Sequence, residues 1–297
     1  MRIGAFEVNE PFPELNEPHA LAILQPWIDV GRVGSLTLSW LEAHCETKEL
    51  ASLSRPGNFF DFTRYRPTSY FEEGRRQVII PNTYVTYGKQ KTGNDFLFLR
   101  LLEPHSHSEV YIDSVLRLLA RFGAKRYCLL GSMYDYMPHT RPLLVTGGAI
   151  GKKTEQELGK LGIESSDYRG PTTITYLISQ RAPDMGIETT SLIVHLPQYA
   201  QLDEDYIGTV RLMKLLSSLY GIPEDESYVE KAQEQLEQIN VAVDRNPQLK
   251  ATIEQLETHY EERTRRRKET RKEETTPKLS PEIEKFLSEM DKRFREG

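Results

Sequence analysis

The sequence predicts a three-layer α/β/α fold, in which helices cover both faces of a largely parallel sheet. Short apolar runs alternate with longer segments of helical periodicity, an order typical of strands joined by crossover helices. Four such runs are residues 20–24, 95–102, 127–130 and 190–197. They are apolar almost throughout rather than alternating, which is typical of strands buried on both faces. The chain has 297 residues, enough for one large α/β domain with an appendage.

Composition and charge narrow the classes of function. A net charge of -6 argues against general nucleic-acid binding, which needs a positive surface. Cys45 and Cys128 lie in apolar periodic contexts, where small buried side chains are more common than disulfides or metal ligands. No stretch approaches the roughly 18 apolar residues of a membrane span, and the first residues lack an apolar signal region. We therefore expect a cytoplasmic protein with no metal, cofactor, nucleic acid or membrane among its partners.

A glycine-containing loop follows the first apolar run. It carries the candidate ligand-binding residues Asp29, Gly31, Gly34 and Ser35, and helical periodicity begins at Val33. The free N–H groups and the dipole at a helix start favour negative charge, so such a loop can bind an anion. It lacks one glycine of the dinucleotide-binding fingerprint. Anion binding and tight helix packing therefore both explain the two glycines.

Residues 55–77 form an aromatic, basic and turn-rich segment. Aromatic side chains interleaved with arginines can stack nucleic-acid bases, but they are also enriched where subunits meet. We favour a subunit contact made by residues 59–76. After this segment, residues 78–81 and 84–87 are predicted to pair as a hairpin.

Polar residues follow the second long apolar run. Glu103 and His105 stand directly after residues 95–102, and a helix is predicted from residue 108 to residue 122. Ligands of open α/β sheets bind outside the carboxyl ends of the strands, which makes both residues site candidates. His105 and His107 have a spacing that suits a metal, but two ligands do not make a site. We favour solvated or capping histidines.

A stiff polar loop is predicted after residues 127–130, where the apolar run stops at Gly131. Pro138 and Pro142 bracket the candidates His139, Thr140 and Arg141 and restrict the backbone on both sides. Two roles stay open for the arginine: binding an anionic ligand, or pairing with a nearby carboxylate.

The rest of the α/β domain repeats the same pattern. Further helices are predicted at residues 154–161, near residue 171 and at residues 203–220, and the strand at residues 190–197 leads to the candidate Tyr199.

The last quarter of the chain is helical and more charged. Apolar residues keep a helical spacing from residue 228 to residue 260 and are interrupted at Asn246–Pro247, which predicts two helices packed as an antiparallel hairpin. We expect an α/β domain over residues 1–222, this hairpin over 223–262, a charged linker over 263–278 and an amphipathic helix over 279–297. The last helix is expected to dock on the body or on a protein partner.

Several motifs together resemble the proteasome assembly chaperone 2 (PAC2) family. They are Gly31-x-x-Gly34, Arg66-Pro67, Glu103-Pro104, Pro138-His139-Thr140-Arg141-Pro142 and Leu196-Pro197-Gln198-Tyr199. The resemblance covers about residues 20–220. It implies a core similar to purine nucleoside phosphorylases and a homo-oligomer, with trimers and tetramers both compatible. The chain departs from the family pattern in having Leu102 before Glu103 and no tryptophan after it. It also ends without the hydrophobic-Tyr-x sequence of members that dock on proteasomes.

Two hypotheses for function follow from the sequence. One is a homo-oligomeric, chaperone-like protein that binds or assembles other proteins. The other is a hydrolase or phosphorylase of a nucleoside-like or other anionic small molecule, bound in the crevice at the strand ends. The second needs catalytic groups such as Asp29, Glu103, His139 and His195 to meet there. No nucleophile–base pair is identifiable, because the chain has no Gly-x-Ser-x-Gly motif.

Overall fold

The structure is a computed structural model that describes residues 1–166 and 168–275. This part of the chain forms thirteen strands and seven α-helices. The strands are β1 (Arg2–Ile3), β2 (Phe6–Val8), β3 (His19–Gln25), β4 (Lys48–Leu53), β5 (Thr68–Glu72), β6 (Arg75–Ile79), β7 (Tyr84–Gly88), β8 (Phe96–Leu102), β9 (Arg126–Asp135), β10 (Val145–Gly147), β11 (Ala149–Ile150), β12 (Glu164–Ser165) and β13 (Glu188–Pro197). The helices are α1 (Val33–His44), α2 (Ser108–Arg121), α3 (Lys152–Leu161), α4 (Ile174–Arg181), α5 (Tyr206–Tyr220), α6 (Glu226–Asp244) and α7 (Pro247–Thr275).

Eleven of the described strands build one mixed sheet. Its order is β1-β2-β4-β7-β8-β3-β9-β13-β10-β12, with β11 paired to β13. The four central strands β8, β3, β9 and β13 run parallel to one another. They coincide with the four apolar runs, which confirms the predicted α/β class. Because they are parallel, their carboxyl ends lie at the same edge of the sheet.

Helices cover both faces of the central strands. Successive side chains of a strand point to opposite faces. On one face, Ala20 and Ala22 of β3 belong to a core cluster with Tyr111 of α2 and Ile178 of α4. On the other face, Ile23 lies under Gly34 of α1. Since α1 and α5 also contact each other, the domain has the predicted three layers.

The structure corrects the end of the third apolar run. Strand β9 does not stop at Gly131 but continues to Asp135, paired along its whole length with β13. A Cβ at Gly131 would collide with the carbonyl oxygen of Ile28. This oxygen also accepts a hydrogen bond from Ser132 N at 2.8 Å. Glycine is therefore needed for the close crossing of the segment after β3, and it does not break the strand.

The predicted hairpin of residues 78–81 and 84–87 is wrong. Strand β6 pairs with β5 instead, through a two-residue turn of Glu73 and Gly74, both with positive φ as such turns require. Strand β7 joins the main sheet between β4 and β8. The pair β5–β6 forms a separate two-stranded sheet.

The C-terminal helices belong to two compact units, one of residues 1–246 and one of residues 247–297. In the first unit α6 packs on α5, with Lys231 Nζ 4.8 Å from the ring centre of Tyr206. In the second unit α7 continues to Thr275, so residues 263–275 extend this helix where we expected a linker. The predicted terminal helix, residues 279–297, lies outside the described residues. Among the described helices, none is long and apolar enough to cross a membrane.

Candidate functional site

The carboxyl edge of the central strands is the candidate site. Asp29 follows β3, Glu103 follows β8, Asp135 ends β9, and Tyr199 follows β13. The sequence-predicted site residues at this edge fall into three hydrogen-bonded clusters, each with its own partners.

The first cluster joins Asp29 to the start of α1. Its Oδ1 accepts a hydrogen bond from Ser35 N at 3.1 Å, and its Oδ2 accepts one from Ser35 Oγ at 2.5 Å. Burial raises the pKa of the Asp29 carboxyl, and the bonds from Ser35 oppose that shift. The carboxylate thus takes the position at the helix start where an external anion would bind.

The two glycines of this loop serve close packing. A Cβ at Gly34 would lie 3.0 Å from Oδ1 of Asp29 and 3.1 Å from the side chain of Ile23. Gly31 has a φ of +59°, and a Cβ there would lie 2.6 Å from Cβ of Asp205. Its carbonyl oxygen also accepts a hydrogen bond from Asp205 N at 2.8 Å. Of the two explanations left open by the sequence, these contacts support tight helix packing.

The second cluster surrounds the segment after β8. The Glu103 carboxylate accepts two contacts from Ile174 N, at 3.0 and 3.2 Å, and so caps α4. Burial raises the pKa of the Glu103 carboxyl, against that hydrogen bond. His105 Nδ1 accepts a hydrogen bond from Asp61 N at 3.2 Å, and His107 Nδ1 donates one to Asn58 O at 3.0 Å. These contacts agree with capping histidines.

The third cluster fixes the loop that begins after β9. His139 N donates to the Tyr199 hydroxyl at 2.7 Å, and that hydroxyl lies 2.6 Å from His139 Nδ1. His139 Nε2 lies 3.0 Å from Asn240 Oδ1 on α6. All three bonds are satisfied together when Nε2 carries the proton and Tyr199 donates to Nδ1. In the same loop, Thr140 is exposed and Arg141 is half-buried.

A fourth cluster surrounds His195, for which the sequence predicted a catalytic role but no partners. The His195 ring lies between Asp135 and Thr146, with Nδ1 2.8 Å from Asp135 Oδ2 and Nε2 2.8 Å from Thr146 Oγ1. The three residues come from β9, β13 and β10, which are neighbours in the sheet. No sequence motif links them, because the contact depends on the register of two strand pairs. Neither here nor elsewhere in the described residues does a group of three or more His, Cys, Asp or Glu side chains form that could hold a metal ion.

The aromatic and basic segment divides into a buried part and an exposed part. Phe59 and Phe60 are 4% and 2% exposed and belong to the core, so the predicted contact of residues 59–76 does not include them. Residues 68–80, which comprise β5, β6, the turn between them and Ile80, are exposed at every position. We name this segment the hairpin arm. Phe71 is 71% and Val78 56% exposed, and both point to the same face of the arm with Arg76.

Comparisons with known proteins agree on one family. The model of the PAC2 family matches residues 23–245. A Mycobacterium tuberculosis protein of unknown function is 22% identical and has a TM-score of 0.78, with coverage of 91% of this chain and 93% of its own. A Streptomyces avermitilis PAC2 family protein is 22% identical, with a TM-score of 0.69 and coverage of 80% and 99%.

A further similar structure is a proteasome-assembly chaperone homologue of M. tuberculosis. It is 17% identical, with a TM-score of 0.70 and coverage of 79% of this chain and 99% of its own. These three likenesses show the fold. No curated protein sequence matches the chain. Because the family model covers most of its residues, the chain belongs to the PAC2 family.

Proposed function

We propose that this protein is a homo-oligomer that binds other proteins and assists their assembly. The observation that carries the proposal is the hairpin arm, because its large apolar side chains are exposed to solvent. The likeness to a proteasome-assembly chaperone homologue supports a chaperone-like role of this kind.

An uncovered hairpin arm is energetically unfavourable. A single two-stranded hairpin is only marginally stable in water. One face carries Phe71, Val78 and Arg76, and the other carries Tyr70 and Ile79. Burying one such aliphatic or aromatic side chain contributes about 1.5–3 kcal/mol. Phe, Tyr and Arg are also the types enriched in protein interfaces. A protein surface is therefore the favoured cover for the arm.

A second copy of the chain is the favoured occupant. Most soluble oligomers are built from identical subunits. In such an oligomer, each subunit would present its own arm and cover the arm of a neighbouring subunit. Contacts to a client protein are then left to other surfaces. We propose α6 among these, where Val241 is 49% exposed.

Sedimentation of matched variants tests the proposal. The double variant Phe71→Ser with Val78→Ser removes the apolar face of the arm. The control Val110→Ser with Tyr176→Ser removes two other exposed apolar side chains, one from α2 that is 51% exposed and one from α4 that is 52% exposed. We expect the wild type and the control to sediment as oligomers at micromolar concentration and the arm variant to sediment as a monomer. A wild type that is monomeric there would refute the oligomer.

The assembly role needs a separate measurement. Wild-type and arm variants isolated from the host are compared for the proteins that co-purify and for the yield of the complexes those proteins form. We expect partner complexes to accumulate less in a strain that lacks the chain. An oligomer whose loss changes no complex would leave the interface standing and refute the assembly role.

A further inference from the structure

Asp135, His195 and Thr146 have the order and spacing of a nucleophilic triad. A carboxylate, an imidazole and a hydroxyl are joined by two contacts of 2.8 Å, one to each ring nitrogen. Activated nucleophiles share this pattern, in which a base touches the hydroxyl and a third group orients the base. We infer that this cluster is an acyl-transfer site, with Thr146 as the nucleophile and small carboxylic esters as the substrate class.

The hydrogen bonds assign a role to each group. A carboxylate can only accept, so Nδ1 of His195 donates to Asp135. The Nε2 lone pair is then directed at Oγ1 of Thr146, as a general base requires. Asp135 is itself oriented, because its Oδ1 accepts a hydrogen bond from Tyr136 N at 2.7 Å. His195 is 5% exposed, which keeps the ring fixed between its partners.

The cluster lies beside solvent rather than in the closed core. Met133 is the cross-strand neighbour of His195 on the same face of the sheet and is 36% exposed. Ile193, paired with Thr146, is half-buried. Thr146 is only 7% exposed, but the exposed Gly148 two residues later carries no side chain that could cover it. This patch is the route by which a small ester would reach the cluster.

Ester hydrolysis at this cluster needs no reagent other than water. Oγ1 of Thr146 attacks the ester carbonyl carbon while its proton passes to Nε2 of His195. The bond from that carbon to the alcohol oxygen breaks, and the alcohol leaves with the proton from Nε2. Water then attacks the Thr146 acyl ester, gives its proton to Nε2 and releases the acid as the hydroxyl of Thr146 is restored. Asp135 stays ionised throughout and stabilises the charged ring.

Covalent labelling of the full chain with a β-lactone probe tests the inference. We expect the wild type to gain one acyl adduct, which peptide mass spectrometry places on Thr146. His195→Ala should slow labelling by roughly 100-fold or more, because general-base catalysis contributes about that much. Thr146→Val should abolish the adduct, and Thr146→Ser should retain it. Thr190→Val is the matched control and should label normally, because it removes another buried hydroxyl, one that has no hydrogen-bond partner among the described residues.

The outcomes separate this site from the proposed assembly function. Thermal melting first shows that each variant is folded. No adduct on a folded wild type after long exposure to millimolar probe would overturn the inference, and so would labelling that does not depend on His195. Arm variants that become monomeric and still label would show that the two sites are independent.

Discussion

Replacing Asp29 by alanine tests what occupies the start of α1. The side chain is 9% exposed and accepts hydrogen bonds from both the N–H and the hydroxyl of Ser35, which is itself 2% exposed. Without the carboxylate, the buried N–H of Ser35 loses its acceptor. Leaving such a donor unsatisfied costs about 1–3 kcal/mol. We therefore expect the free energy of unfolding of Asp29→Ala to fall by about that amount.

Urea unfolding at neutral pH measures the change, with Asp29→Asn as the control. Asparagine keeps an oxygen that can accept from Ser35 N, so this variant should lose about 1 kcal/mol or less. Formate adds a second readout, because it can fill the space of the lost carboxylate at the helix start. It should restore part of the stability of Asp29→Ala and leave the wild type unchanged.

Two results would refute this reasoning. One is an alanine variant as stable as the wild type, which would mean that Ser35 finds another acceptor. The other is a wild type that formate or phosphate stabilises at least as much as the variant. The helix start would then hold an external anion in the native protein, as the sequence first suggested.

Two further predictions concern packing and pH. Gly131→Ala should lower the free energy of unfolding by at least about 1–3 kcal/mol, because its Cβ meets a backbone oxygen that cannot move away. The control is Gly159→Ala in α3, where a Cβ would meet no atom of the described residues within 4 Å, and it should be neutral or stabilising by about 0.5–1 kcal/mol. Urea unfolding that ranks the two variants equally would contradict this packing effect. Burial raises the pKa of Asp205, so its contribution to stability is fully present below the ordinary aspartate pKa and is lost as pH rises through the raised value. Asp205→Asn keeps an N-cap for α5 and should flatten the decline of stability between mildly acidic and neutral pH, and an unchanged pH profile would contradict this.

The central sheet could be predicted because strands that are buried on both faces are apolar at nearly every position. The four parallel strands are apolar in sequence for the same reason that they are central in the fold. Strand β4, with the sequence Lys-Glu-Leu-Ala-Ser-Leu, has no such run and was missed. The partner of β6 was mistaken, although Gly74 marks a turn at the right place. Pairing depends on turn geometry as well as on apolar content, and apolar content alone favours the wrong partner here.

The locations of the candidate site residues at the strand ends were predicted, but their hydrogen-bond partners were not. Strand ends were identified, so Asp29, Glu103 and His139 were found at the correct edge. Which group each one contacts depends on tertiary approach. The sequence predicts a strand end at Gly131, because the need for glycine there arises from the carbonyl of Ile28, which no local pattern reveals. The triad was unreadable for a similar reason, since His195 is 49 residues from Thr146 and 60 from Asp135.

The segment after β8 connects the strand-end edge to the hairpin arm. Its polar side chains and backbone hold neighbouring main chain: Glu103 caps α4, His105 N donates to Phe59 O at 2.7 Å, and His107 donates to Asn58 O. The backbone held in this way, at Asn58 and Phe59, belongs to the segment that precedes β5. His105, which the sequence placed in a ligand crevice, therefore helps to hold the segment that leads to the arm. A rigid base lowers the conformational entropy lost when the arm is buried on a neighbouring subunit. This is the property expected of polar groups at a strand end if the arm forms the subunit contact that we propose.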